Sequence, residues 1–166
     1  PALAQDALDH GMNPLQGIEK RLAALEGGAA KTGAPAEASP AWKSPEEMYD
    51  YGVGQVKGDN PRKGREVLSD FLAKYPNHRL AANALYWKGE AYYAEKDYEN
   101  AILAFQDVVD KYPSGDKAPD AMYKQGLSFL SMNDKKNARI LFELVLAKYP
   151  KSKAAEMSKK KLSEIR

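Results

Sequence analysis

The side chains that ordinarily carry enzymatic chemistry are sparse in this 166-residue chain. It has two histidines, His10 and His78, and neither has a nucleophile or a second metal ligand at useful spacing. Cysteine is absent, which removes disulfides, thiolate catalysis and cysteine-based metal sites. Gly52-Val53-Gly54 does not make a phosphate loop, because no strand precedes it and the required downstream glycine is missing. The carboxylates are scattered rather than paired. No catalytic residue, metal or cofactor is therefore expected. The chemistry the chain does offer is that of binding. Tyr49, Tyr86 and Tyr123 recur at a constant interval of 37. Helical periodicity puts them off the buried face, with Asn83, Glu90 and Tyr93 on the stripe of Tyr86, and Leu127 beside Tyr123. Tyrosine presents a large apolar ring with a polar handle and loses little entropy on binding, which suits a peptide or helix as partner. The competing reading is that these rings pack between neighbouring helices and only stiffen them.

The elements that must position these rings repeat with them. Sliding the sequence by 37 residues brings Met48-Tyr49 onto Leu85-Tyr86 and Met122-Tyr123, and Gly52 onto Gly89 and Gly126. It brings Tyr75-Pro76 onto Tyr112-Pro113 and Tyr149-Pro150, with no insertion or deletion. A period of this size means stacked supersecondary units. Each unit reads as helix, tight turn, helix. In the second, Leu85, Gly89 and Tyr92 share one face of the first helix, and Ala101, Phe105 and Val108 one face of the second. Gly58-Asp59-Asn60-Pro61, Glu95-Lys96-Asp97 and Asn133-Asp134 supply the turns, through side-chain hydrogen bonds or tolerance of positive φ. A glycine inside a helix costs about 1 kcal/mol. Its recurrence at 52, 89 and 126 predicts a partner helix crossing there. Pro76, Pro113 and Pro150 end each second helix.

Residues 1–44 differ. They hold one aromatic residue, Trp42, against fifteen in the remaining 122. Asn13-Pro14 reads as a helix start, and Leu15, Ile18, Leu22 and Leu25 follow at the 3, 4, 3 spacing of a coiled-coil seam, ending at Gly27-Gly28. Residues 1–26 are thus either the end of an association stalk, giving a homo-oligomer, or a lone amphipathic helix. Residues 27–43, rich in alanine, glycine and proline, read as a flexible linker in which Trp42 can dock on the first repeat. Ser44-Pro45-Glu46-Glu47 reads as a capping box with proline at the first helical position, so the repeat domain is expected over 44–166. Its units are placed at 45–81, 82–118 and 119–155, and a terminal helix over 153–166 carries Ala155, Leu162 and Ile165 inward and lysines outward. Lys148, Lys151, Lys153, Lys159, Lys160 and Lys161 make that end basic, as a solvated cap face or a patch for an anionic partner. The net charge of +2 gives no bulk attraction to nucleic acid. No run approaches the roughly 18 apolar residues of a membrane span. The first residue is a proline and no secretory-signal pattern follows it, as expected for a chain shortened by signal removal or trimming.

These landmarks resemble the tetratricopeptide repeat, as Leu85, Gly89, Tyr92, Ala101, Phe105 and Pro113, and again as Met122, Gly126, Phe129, Ala138, Phe142 and Pro150. The first copy departs from the pattern, with Gln55 for an aromatic residue and Gly64 for alanine. The resemblance implies an all-α right-handed superhelix of three helix pairs plus a capping helix, acting as a protein-binding scaffold without enzymatic activity. It also implies that the three tyrosines line the concave groove. Tyrosine stands where relatives that clamp a C-terminal carboxylate place lysine, so an acidic tail is not the expected ligand. The linking phrases KYPNHRLAANALYWKGEAYY and KYPSGDKAPDAMYKQGLSF are similar to the cell-envelope branch of the family, periplasmic coordinators of cell division in the Tol-Pal system. That likeness implies a TolA-type protein and a peptidoglycan synthase as partners. The alternative within the family is a BamD-type or general adaptor in outer-membrane assembly.

Overall fold

The computed structural model describes residues 14–26 and 41–165, all of whose regular elements are helices. Helix α1 is Gln16–Glu26; α2 Pro45–Lys57 and α3 Pro61–Lys74 form the first pair; α4 Ala81–Ala94 and α5 Tyr98–Lys111 the second; α6 Ala118–Ser131 and α7 Lys135–Lys148 the third; α8 Lys153–Glu164 closes the array. Asn13 and most of the linker expected over 27–43 lie outside the described residues.

Local sequence accounts for the helix ends. Asn60, Asp97 and Asp134 cap the three second helices, each side chain accepting the amide three residues on, from Lys63, Asn100 and Asn137. The expected positive φ falls on Lys96 (61°) and Asn133 (60°). Ser44 Oγ accepts from Glu47 N at 3.1 Å, half of the expected capping box. The other half is displaced: Glu47 Oε2 accepts from Lys43 N at 2.6 Å, one amide before the cap, because the extended Ser44 (φ −157°) turns the Lys43 amide towards the helix.

The glycines explain how the pairs close. A Cβ on Gly89 would lie 2.6 Å from the Phe105 ring, and one on Gly126 would strike the Phe142 ring in the same way. At the first pair the roles shift. A Cβ on Gly64 would lie 2.6 Å from the Gly52 carbonyl oxygen and 2.8 Å from the Val56 amide nitrogen. The departure from the repeat pattern at Gly64 is therefore a backbone-to-backbone crossing, where Ala101 and Ala138 sit buried in the other pairs.

From α2 onwards each helix packs on its sequence neighbour. The first helices also reach one another, α2 to α4, α4 to α6 and α6 to α8, while α3, α5 and α7 pack chiefly on first helices. The closer approach on the first-helix side bends the stack towards it and makes that side concave. The core runs in two parts. One is built on Met48, Val67, Leu68 and Phe71, with Trp42 at its margin; the other runs from Phe105 and Phe129 through Phe142 to Ala154, Ala155 and Ile165 beneath α8. Leu72 and Trp87 touch both. Arg65 forks onto Glu95 at 2.7 and 3.0 Å and lies 4.5 Å from the centre of the Tyr92 ring, tying pair one to pair two.

The sequence left α1 between a stalk end and a lone amphipathic helix. Its Leu15 and Ile18 are buried in the second part of the core, with Leu22 packed against it. The helix lies on its own repeats, an arrangement that neither reading included.

Candidate protein-binding groove

Three tyrosines one repeat apart sit on the concave side, each with its ring against the phenylalanine of the second helix behind it. Tyr49 is 6.0 Å from Phe71, Tyr86 5.6 Å from Phe105 and Tyr123 5.6 Å from Phe142. The i to i+3 and i+4 spacing on α4 carries Asn83, Tyr86, Glu90 and Tyr93 along this side. Leu127 of α6 lies half-buried against the core one turn from Tyr123.

The surroundings of the three rings differ. Tyr86 is only 9% exposed, so the expectation that all three stand off the buried face fails for this one. The cause is its middle position. Phe105 backs it, Trp87 meets its edge at 5.9 Å, and Lys117, arriving from the connection into α6, places Nζ 4.9 Å above the ring. Burial, and then the charges of Glu90 and Asp120 and a hydrogen bond with Glu90, hold the Tyr86 phenol well above the usual tyrosine range. Tyr49 and Tyr123 are half-buried. Burial also raises Tyr49, while Asn83 of the next repeat faces its hydroxyl and acts in the opposite sense. Burial raises Tyr123, against Lys161 and Lys124.

The polar groups of the stripe are joined across the repeat boundary. Lys124 Nζ lies 2.9 Å from Glu90 Oε1 and 3.2 Å from Oε2, and 5.4 Å from the centre of the Tyr93 ring. Tyr93 Oη meets Ser131 Oγ at 3.1 Å. The groove is thus a tyrosine-lined surface crossed by one lysine–carboxylate pair, with Lys161 and Glu164 of α8 at its far end, 3.1 Å apart. Sequence reasoning missed Lys117 and Lys124, and assigned Lys161 to the basic C-terminal end rather than to the surroundings of Tyr123. The signal for Lys124 was a charge opposite to Glu90 almost one period later; nothing local marked Lys117.

Of the two histidines, His10 lies outside the described residues and His78 is held by structural contacts. His78 Nδ1 accepts from Leu80 N at 3.1 Å, its Nε2 lies 3.2 Å from Glu46 Oε1, and its ring stands edge-on to Phe71 at 5.5 Å. It pins the first inter-repeat connection onto α2. Glu46, facing His78 and Arg79, is held below the usual carboxylate range, chiefly by a hydrogen bond from its own backbone amide. Lys148, Lys151, Lys153, Lys159 and Lys160 are exposed. Among the described residues no group of histidine and carboxylate side chains is placed to hold a metal, and no helix is long and apolar enough to cross a membrane.

Two family models described as tetratricopeptide repeat match the chain, one over residues 52–116 and the other over 120–152. Comparison with curated proteins finds none that matches.

Proposed function

Because the chain belongs to the tetratricopeptide repeat family, we propose that it is a non-enzymatic scaffold whose concave tyrosine stripe binds a segment of another protein. The carrying observation is the placing of the half-buried Tyr49 and Tyr123 in the first and third repeats, on either side of the buried Tyr86, with Glu90–Lys124 bridging the second and third. Aromatic rings anchored from behind are pre-organised, so a partner ordering against them meets little added entropy cost.

The finer reading places the scaffold in the bacterial periplasm. Its linking phrases resemble those of CpoB, also called YbgF, and that likeness supports a role coordinating peptidoglycan synthesis with outer-membrane constriction through the Tol-Pal system. A TolA-type protein and a peptidoglycan synthase are the proposed partners, and α1 the proposed association helix.

Calorimetry with a TolA-type domain, paired with thermal unfolding by circular dichroism, tests both levels. Tyr123→Ala and Tyr49→Ala remove half-buried rings and should weaken binding by about thirtyfold, the effect of truncating an aromatic anchor worth about 2 kcal/mol. Unfolding should change little. Native affinity in both variants would remove the groove from the reading. A native chain that ignores the TolA-type domain would remove the Tol-Pal assignment and leave the groove to be tested with another partner.

A further inference from the structure

Helix α1 stands outside the run of helix pairs that pack on their neighbours, yet buries its apolar residues on them. This helix lies against the turn between α6 and α7. Pro14, Gly17, Ile18 and Arg21 line the same cleft as Phe129, Met132, Asp134 and Asn137, and Gly17 and Lys20 line a neighbouring one with Lys136 and Ile140. Leu15 and Ile18 are buried there, at 8% and 2% exposed, and Arg21 pairs with Glu99 at the start of α5. The same residues form the seam spacing Leu15, Ile18, Leu22 in the sequence. An 11-residue helix has one apolar face, so it cannot serve two contacts at once.

We propose that the α1 stripe has two mutually exclusive partners, the α6–α7 turn of its own chain and the α1 of a second copy, so that self-association uncovers the turn surface around Met132. The inference rests on α1 being an association helix. Among the described residues the docked contact comprises the buried Leu15 and Ile18, Leu22 packed beside them and the Arg21–Glu99 ion pair, whose Arg21 is exposed. Docking is intramolecular, because α1 and the turn belong to one chain, whereas a second copy must be recruited from solution. A second copy therefore competes only when chains are concentrated or held close, which makes the exchange a switch driven by assembly.

The test uses the full chain, with hydrogen exchange of the α1 amides reporting docking and sedimentation velocity reporting association. Met132→Asp removes the turn side of the contact alone. It should deprotect α1 and lower the concentration at which chains associate, each by about tenfold, the effect of losing one buried apolar contact. Ile18→Asp removes the stripe and should abolish both docking and association. Gly17→Cys with Lys136→Cys, joined by a short bismaleimide, should hold the chain monomeric; the chain has no other cysteine, and a Cβ on Gly17 meets nothing within 4 Å. If Met132→Asp unfolds, Glu99→Arg replaces it, and Arg21→Glu in the same chain should restore docking. A cross-linked chain that associates as the native one does overturns the exclusivity, and if Ile18→Asp still abolishes association, α1 remains an association helix. Absence of association in the native chain and in Met132→Asp alike removes the association helix itself, and the proposal with it.

Discussion

Tyr86 and Tyr123 occupy the same repeat position yet should respond differently to truncation. Tyr86→Ala empties a buried site between Phe105 and Trp87 and should cost about 3 kcal/mol or more. Tyr123→Ala removes a half-buried ring and should cost less, so the difference in urea midpoints reads out burial directly. Tyr86→Phe keeps the ring and deletes the hydroxyl that faces Glu90, a loss of about 1 kcal/mol. The phenols also set the alkaline limit of the fold. Tyr49, Tyr86, Tyr123 and Tyr149 are all raised above the ordinary value, with burial the leading cause. Unfolded tyrosines ionise near pH 10 and these folded ones above it, so above pH ~10 the unfolded state sheds protons first. Stability is therefore complete below that pH and falls as pH climbs towards the folded values. Ultraviolet absorbance should show a set of tyrosines, Tyr86 among them, that titrates only as the circular dichroism signal is lost. Titration of all ten near pH 10 with the helices intact would contradict that burial.

At the scale of the helix pair, the crossing glycines rank by what an added methyl group meets. Gly64→Ala places it against the backbone of α2, at the Gly52 carbonyl and the Val56 amide, which move only if the helices separate. The overpacking cost of about 1–3 kcal/mol should exceed the helix-propensity gain of about 1 kcal/mol. Gly89→Ala meets the Phe105 ring at 2.6 Å, and Gly52→Ala meets Leu68 Cγ at 2.9 Å, Leu68 Cδ2 at 3.0 Å and Val67 Cγ1 at 3.4 Å, the least tight approach of the three and one made to side chains alone. Denaturant midpoints should therefore fall most for Gly64→Ala and least for Gly52→Ala. A raised midpoint for Gly64→Ala would show that α2 and α3 are not held at this crossing. At the entry to α2, Ser44→Ala should cost about 1 kcal/mol through the lost cap bond to Glu47 N.

The molecule as a whole is a linear array in which each pair leans on the next, so its stability should follow nearest-neighbour interfaces. The last interface is α8, which brings Ala154, Ala155 and Ile165 onto the α6–α7 face and whose Ile165 carbonyl accepts from Arg139 Nη2 at 2.8 Å. Deleting 153–166 uncovers that face. The truncated chain should melt at lower temperature, bind a hydrophobic dye and aggregate at concentrations where the complete one stays monodisperse. Unchanged melting would mean that α8 is a passenger. Pair one has its own core and is tied to pair two by Arg65–Glu95, Leu72 and Trp87, so this loss should reach it last.

The periodic and short-range features were legible in the sequence. The 37-residue spacing marked the helix pairs, Asn60, Asp97 and Asp134 marked their turns, and the glycines at 52, 89 and 126 marked the crossings. Each depends on residues within one helical turn or on a repeat that preserves its own contacts. The tyrosine positions were legible too, but their burial was not, because Tyr86 is covered by Lys117 from the following connection and by Phe105 from the second helix. The bridge from Glu90 to Lys124 and the partner of Glu47 depended on the exact rotation of one backbone past another. The place of α1 was decided furthest from the sequence. An apolar stripe at seam spacing states that a helix must bury one face, and carries no record of which surface it buries it against; that choice belongs to the shape of the α6–α7 turn and to the chain that tethers the helix beside it.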